Sequence, residues 1–327
     1  MKRIMILAIV GLLVFAGAAF ANSNYAELNQ YGNYGSASQT QYDSLQYARI
    51  TQYGDGNSAS QTQSGYSYYS SWYGWYPTPY NNKAQIDQNG YYSSASQYQY
   101  QNPGYWNWAY QNDATISQNG WYDGASQYQD GVGNYAYIYQ GGSYNNASQT
   151  QYGQFNSATI YQYTDYNSAS QVQSGTYNNA QIYQGDYYFW YYTSGNSATQ
   201  EQYGDYNSAW IRQNGWGGSN SAYQYQNGYA NSASIDQWYD GSNGASQSQS
   251  GSYNSASIGQ YGYGSSASES QSGDSNYAGI SQSAYYCSAS IAQSGPSNSA
   301  AINQGNYYNS ANINQSGYAN NASINQY

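Results

Sequence analysis

The chain has 327 residues, of which 50 are tyrosine and 36 glycine, with 6% charged residues, one cysteine and no histidine. The net charge is −10, and a chain this poor in lysine and arginine lacks the cations that nucleic-acid phosphates require. With only Glu27, Glu201 and Glu269 as glutamates, no catalytic triad, dyad or zinc set can be assembled. We therefore expect no enzyme, no cofactor, no metal and no nucleic-acid partner.

The first 21 residues differ from the rest of the chain. Lys2 and Arg3 precede an apolar run at residues 4–16, and residues 19–21 read Ala-Phe-Ala. A basic start, a short apolar run and a small-x-small site are typical of a secretory signal peptide, and the run is too short to span a bilayer. We predict that residues 1–21 are a signal peptide and that the protein is exported.

The remaining chain repeats one short pattern, Asn-x-Ala-x-(Ile or Gln)-x-Gln-x-Gly, of which residues 254–262 are one copy. There are 25 units, with alanines from Ala26 to Ala322, and 19 of the 24 intervals between neighbouring alanines are 11 residues. A composition rich in Tyr, Gln, Asn and Ser is typical of disordered prion-like segments. Disorder gives no reason for a strict period, so the repeat predicts an ordered fold.

Each unit alternates in the two-residue rhythm of a strand. Asn, Ala, the variable Ile or Gln, and the last Gln fall on one face and are nearly constant, so we predict that this face is interior. Successive units alternate at the variable position, as in Leu28, Gln39, Ile50 and Gln61, so the structural repeat is 22 residues. The glycine two residues after the last Gln, such as Gly153, is predicted to supply the positive φ of a tight turn.

These patterns predict an all-β fold for residues 22–327, a single β-solenoid domain of about 12 coils with two parallel, in-register sheets. Each 22-residue coil is a strand–loop–strand unit. Buried amides are costly alone, but stacked copies can donate to one neighbour and accept from the other, as in amyloid. The predicted core ladders comprise the glutamines Gln41, Gln52, Gln63, Gln88 and Gln260 and the apolar stack containing Ile50, Ile86 and Ile258.

Aromatic insertions expand three turns, at residues 64–82, 100–112 and 185–196. Solenoid corners tolerate insertions. Two interpretations stay open. The insertions bind other surfaces or polysaccharide, or they pack back on the solenoid. The candidate adhesive residues are Trp72, Trp75, Trp106, Trp108 and Trp190.

The first and last strands are expected to be open, because no capping segment is recognisable at either end of the repeats. Ordinary solenoids carry polar caps, since an open strand edge recruits another chain. We therefore expect the chain to pair with itself through its terminal strands. The predicted assembly edges are Asn24, Ala26, Leu28 and Gln30 at one end and Asn320, Ala322, Ile324 and Gln326 at the other.

Two inward positions hold unusual residues. Cys287 occupies a slot that holds Asn in 19 units, and is either a small buried residue or the site of an intermolecular disulfide. Glu269 replaces a ladder glutamine, where a buried carboxylate is costly unless it is protonated or bonded by amides on both sides. It is either a local flaw or an acid-sensitive step. The loop aspartates lack the spacing of calcium-binding repeats, so we expect them to be solvated.

The paired pattern Asn-x-Ala-x-x-x-Gln-x-Gly behind a signal peptide resembles that of curlin, the subunit of bacterial curli fibres, over residues 24–327. The resemblance implies an extracellular, amyloid-like fibre at the surface of a Gram-negative cell, serving biofilm matrix and adhesion. It also implies passage through the periplasm, an outer-membrane export pore, and a second curlin subunit as nucleator or client. The chain departs from the family in its larger number of repeats, its nearly absent segment between signal and repeats, and its aromatic insertions.

Two other functions remain open from the sequence. One is a fibre nucleator or minor subunit rather than the bulk subunit. The other is a monomeric β-solenoid that binds ice or carbohydrate through small outward residues such as Ser36, Ser38 and Thr40. Against the second, the same face carries Tyr223 and Tyr225 in a later strand, which interrupt a flat array.

Overall fold

The computed structural model describes residues 24–42, 46–65, 82–101, 111–185, 195–214, 219–238 and 241–327. These residues form 25 β-strands, and no helix among them could cross a membrane. The odd-numbered strands are β1 (Tyr25–Tyr31), β3 (Tyr47–Tyr53), β5 (Lys83–Gln88), β7 (Asp113–Gln118), β9 (Tyr135–Gln140), β11 (Ser157–Gln162), β13 (Asn179–Gln184), β15 (Ser208–Asn214), β17 (Ser232–Trp238), β19 (Ser255–Gln260), β21 (Tyr277–Gln282), β23 (Ser299–Gln304) and β25 (Asn321–Gln326). The even-numbered strands are β2 (Ser36–Tyr42), β4 (Ser58–Gly65), β6 (Ser94–Gln101), β8 (Gly124–Val132), β10 (Asn146–Gln154), β12 (Ser168–Thr176), β14 (Ser197–Asp205), β16 (Ser221–Tyr229), β18 (Gly244–Ser252), β20 (Ser266–Ser272), β22 (Ser288–Ser294) and β24 (Ser310–Ser316).

The strands form two parallel sheets, one of the 13 odd-numbered strands and one of the 12 even-numbered strands. Each strand pairs with the strand two further along the chain, so that one coil contributes one strand to each sheet. In the pair β10–β12, Ala147 faces Ala169 and Gln149 faces Gln171. The predicted all-β solenoid of about twelve 22-residue coils, with identical residues stacked in register, is confirmed.

The core lies between the two sheets and is built from the alternating inward residues. The odd sheet contributes Ala and Ile, such as Ile86 and Ile138, both fully buried, and the even sheet contributes mainly Ala and Gln. Burying each isoleucine stabilises the fold by about 1.5–3 kcal/mol as an upper estimate. In β22 and β24, Ile291 and Ile313 take the place of glutamine and are also buried, so the last coils are more apolar on both sides.

The insertions leave the stacking register unchanged. Ala48 in β3 faces Ala84 in β5 although 36 residues separate them, and Gln171 faces Gln200 across a 29-residue separation. Extra chain at a corner therefore does not shift the ladders. The predicted signal peptide at residues 1–21 and most of the insertions lie outside the described residues. So do the candidate adhesive residues Trp72, Trp75, Trp106, Trp108 and Trp190.

The turns differ in part from the predicted glycine geometry. Gly153 has the expected positive φ of 101°, but Gly90, Gly120, Gly142 and Gly262 do not adopt positive φ, and for them the prediction is wrong. In those turns the left-handed residue is the one just before the position that usually holds the inward Asn, such as Tyr122 or Gly264. The same position is also left-handed in the Gly153 turn, where it is Phe155. The glycines are needed for close approach: a Cβ on Gly120 would lie 1.6 Å from the backbone oxygen of Gly142 in the next coil.

Candidate assembly interface

Glutamine ladders run along the inside of the solenoid. The side-chain Nε2 of Gln118 donates to Oε1 of Gln140 at 2.8 Å, and Gln140 donates to Gln162 at 2.9 Å. One ladder follows the odd sheet and two follow the even sheet. The glutamines predicted for the core ladders lie in them: Gln41 donates to Gln63 at 3.0 Å, Gln52 to Gln88 at 2.7 Å and Gln260 to Gln282 at 2.9 Å.

The same amide nitrogens also connect the two sheets. Gln151 Nε2 donates to the Tyr135 backbone oxygen at 2.9 Å, and Gln140 Nε2 donates to the Gly124 backbone oxygen at 2.9 Å. Most ladder amides thus use one proton along the stack and the other across the core. Buried polar networks stabilise a fold only when their members are satisfied, and these amides meet that condition.

The ladders have a direction. Within the ladders each glutamine side chain donates to the coil on its C-terminal side, as in the bond from Gln30 to Gln52 at 2.6 Å, and interior glutamines accept from the coil on their N-terminal side. At the first coil the ladder oxygens therefore have no preceding glutamine donor among the described residues. At the last coil Gln315 and Gln326 accept from Gln293 and Gln304, and no ladder acceptor follows them in the described chain.

The terminal strands expose residues that are buried in every interior coil. Among the described strands, β1, β2, β24 and β25 have a neighbour on one side only. Leu28 and Ile324 are partly exposed, whereas the equivalent Ile50 and Ile302 are fully buried. The predicted assembly edges are the inward residues of β1 and β25 and the Asn before each strand: Asn24, Ala26, Leu28 and Gln30, and Asn320, Ala322, Ile324 and Gln326.

The inward asparagines hold the turns, a role that the sequence reasoning missed. Asn112 Oδ1 accepts the backbone N–H of Asn134 at 2.9 Å, and Asn134 Nδ2 donates to the Gly153 backbone oxygen at 3.0 Å. Asn254 makes both kinds of bond and also donates to Asn231 Oδ1 at 3.1 Å. The recurrence of Asn immediately before the strand in 19 of the 25 units was the available signal, because such residues often cap backbone groups.

Other residues in the Asn slot supply a donor at the same place. Ser93 Oγ donates to the Gly120 oxygen at 3.3 Å, and Cys287 Sγ donates to the Asn306 oxygen at 3.0 Å. Cys287 is 1% exposed, which favours the small buried residue over the intermolecular disulfide. Asp123 accepts the Asn145 N–H at 2.9 Å, and its Oδ2 is buried without a hydrogen-bond partner. Burial raises the pKa of Asp123 to about 7.

Glu269 sits inside a glutamine ladder. Gln247 Nε2 donates to its Oε2 at 2.8 Å, while its Oε1 is buried without a partner, and the next ladder residue is Ile291. Burial raises the pKa of Glu269 to about 8. The equivalent Gln149 Nε2 donates to a backbone oxygen 12 residues earlier at 3.0 Å. A protonated Glu269 carries a proton for the same kind of bond, whereas a carboxylate does not.

The outer faces carry paired charges and stacked rings. On the odd sheet, Arg49 pairs with Asp87 at 2.9 Å and Lys83 with Asp113 at 3.1 Å. Arg212 pairs with Asp236 and lies over the Trp210 and Trp238 rings at 5.0 and 4.4 Å. Partly exposed pairs such as these contribute about 0–1 kcal/mol each.

Several loop aspartates bond to the coil before them. The carboxylates of Asp55, Asp165, Asp205 and Asp274 each accept a backbone N–H from that coil at 2.7 or 2.8 Å. These aspartates were expected to be solvated rather than to bind calcium, and in the structure they also cap backbone groups. In the described part of the chain no cluster of three His, Cys, Asp or Glu could hold a metal ion.

Comparison with known proteins adds no further constraint: no family model matches the chain, and no curated protein matches it. The functional interpretation therefore depends on the geometry of the ladders and of the open strands.

Proposed function

We propose that the chain is a secreted structural protein that assembles head to tail into an extracellular, amyloid-like fibre, as its curlin-like repeat suggests. The observation that carries the proposal is the polarity of the glutamine ladders. One end of the solenoid presents the side-chain Oε1 atoms of Gln30 and Gln41. The other end presents the side-chain Nε2 atoms of Gln315 and Gln326. These are the two halves of the bond that joins neighbouring coils inside the chain.

The odd sheet has 13 strands and the even sheet 12, so the next copy continues both sheets when it is rotated by half a turn about the solenoid axis, with its β1 following β24 and its β2 following β25. Between β24 and β1, Ala26 would follow Ala311, Leu28 would follow Ile313, and Gln30 would follow Gln315. Between β25 and β2, Ala37 would follow Ala322 and Gln41 would follow Gln326. The one mismatch in the ladders is Gln39 against Ile324, which resembles the step from Glu269 to Ile291 within the chain.

Such a contact does not close on itself. A head-to-tail interface whose rotation does not close generates a filament rather than a ring or dimer, and open strand edges favour pairing with another chain. The low charge density, 6% of residues, limits the electrostatic repulsion between stacked copies.

The localisation and partners in this proposal follow the resemblance to curlin. The chain would pass through the periplasm and an outer-membrane pore, and would form a cell-surface fibre of a Gram-negative biofilm with a second curlin subunit as nucleator or client. The aromatic insertions would contact surfaces or polysaccharide.

Replacing Leu28 by lysine tests the junction. Leu28 is an inward residue of β1, so a lysine there would put an unpaired charge in the middle of the new contact, while the interior coils keep their packing. We expect mature Leu28→Lys to stay folded by circular dichroism and to form no fibres by electron microscopy. The wild-type chain should form unbranched, dye-binding fibres.

Asn29→Lys is the matched control, because Asn29 is the next residue of β1 and points outward. We expect it to assemble like the wild type. Equal assembly of the Leu28 and Asn29 variants, or a wild-type chain that stays a dye-negative monomer at high concentration, would contradict the proposal.

A further inference from the structure

Tyrosine repeatedly occupies an unfavourable backbone conformation in the turns between odd and even strands. Tyr92, Tyr122, Tyr144 and Tyr166 have φ of 56°, 58°, 58° and 61°. Side chains with a Cβ are disfavoured there, and glycine is not. Gly56 takes the equivalent place in an earlier coil with φ of 73°. A tyrosine kept where glycine is easier indicates that the ring itself has a use.

The four rings form a continuous stack, which we call the turn column. Successive ring centroids from Tyr92 to Tyr166 are 5.2, 5.1 and 5.0 Å apart, with interplanar angles of 11°, 14° and 4°. Each side chain is about half exposed, between 48 and 56%. The rings therefore lie face to face and remain open to solvent and to a reagent.

A shorter stack lies on the opposite edge of the solenoid. Phe155 stacks on Tyr177 at 4.9 Å, and Tyr177 stacks on Tyr206 at 5.1 Å. Phenylalanine has the ring but lacks the phenol. Both rings of the Tyr177–Tyr206 pair therefore carry a phenol, whereas only one ring of the Phe155–Tyr177 pair does.

Face-to-face phenols are suited to oxidative coupling. A one-electron oxidant takes one electron from each phenol, whose proton goes to water, and the unpaired electron spreads to the ring carbons ortho to oxygen. Two such radicals form a bond between ortho carbons, and each ring regains its phenol when its ortho hydrogen moves to oxygen. Two tyrosines and one hydrogen peroxide thus give one dityrosine and two waters.

We infer that the turn column is a modification site at which a peroxidase-class oxidant, consuming hydrogen peroxide, joins neighbouring coils by dityrosine. The stack holds each radical beside its partner, so that side-chain rotation alone brings the ortho carbons together. A link from Tyr122 to Tyr144 would join consecutive coils covalently at one corner of the solenoid. This inference goes beyond the proposed function, since it requires only one folded chain.

The test treats the full mature chain with a haem peroxidase and hydrogen peroxide. The product is dissolved in formic acid, digested, and mapped by mass spectrometry for peptide pairs that have lost two hydrogens. We expect links of Tyr92 to Tyr122, Tyr122 to Tyr144, or Tyr144 to Tyr166. A link of Tyr177 to Tyr206 is also expected. All should be several-fold more abundant than in the chain oxidised in denaturant.

The double variant Tyr122→Phe/Tyr144→Phe keeps the stacked rings and removes the two inner phenols. We expect the column links to vanish, while the Tyr177–Tyr206 link persists. An undiminished total yield with links spread to exposed tyrosines outside the stacks, such as Tyr318, would overturn the inference. So would the absence of column links when free N-acetyltyrosine is coupled in the same tube. Column links in a chain that forms no fibres would uphold the inference while the proposed function fails.

Discussion

At the scale of single residues, the difference between an amide and a carboxyl group decides how a ladder position behaves. A glutamine amide donates along the stack and across the core, whereas a carboxylate donates nothing. Asp123 and Glu269 both stand where an amide is usual, and each has one buried oxygen without a partner. Only their protonated forms supply a donor, which agrees with the raised pKa of each group.

Stability is predicted to fall as pH rises, because both carboxyls are raised in pKa by folding. Their contribution to the free energy of unfolding is full below the ordinary pKa values of 3.8 for Asp123 and 4.5 for Glu269. It is lost as pH rises through about 7 for Asp123 and about 8 for Glu269. For Glu269 this amounts to roughly 5 kcal/mol. Denaturant unfolding at pH 5 and pH 9 should show the loss, and Glu269→Gln should remove most of it.

The matched control for this prediction is Glu201→Gln, since Glu201 lies on the outer face of β14. It should leave the pH dependence as it is. An identical pH profile for wild type and Glu269→Gln would show that Glu269 is not a titrating ladder residue.

At the scale of elements, the two-residue alternation predicted the strands and their inward faces, because each inward position meets the same kind of residue in the coils on either side. The turns were less predictable. The period shows where a turn lies but not which of its residues is left-handed, so Gly120 was assigned a positive φ that Tyr122 adopts instead. The hydrogen bonds from Asn134 to the turn likewise depend on the distance between neighbouring coils, and that distance cannot be read from the spacing of residues in the sequence.

Gly120→Ala is predicted to be strongly destabilising. Its Cβ would lie 1.6 Å from the Gly142 oxygen, and backbone cannot move aside without breaking the ladder. We expect a loss of at least about 3 kcal/mol in denaturant unfolding. Gly244→Ala is the control, because its Cβ would meet nothing within 4 Å; it should be neutral or stabilising by up to about 1 kcal/mol. Equal effects of the two changes would contradict the close-approach explanation.

At the scale of the whole molecule, the repeat determined the fold because each coil can bury its inward face only against copies of itself. Number of coils, parallel pairing and register could all be predicted from the 22-residue period. The direction of the ladders could not, since either orientation of a Gln30 amide satisfies the same pattern. That direction makes the two ends of the solenoid different and complementary.

The most direct test of the central claim is the mass per length of fibres grown from residues 22–327. If coils continue across junctions at the usual strand spacing, each chain advances the fibre by its own full length. With 25 strands in two sheets, that is about 60 Å per chain in a single filament. One chain per about 4.8 Å, as when every chain adds one layer of a cross-β stack, would contradict a head-to-tail solenoid.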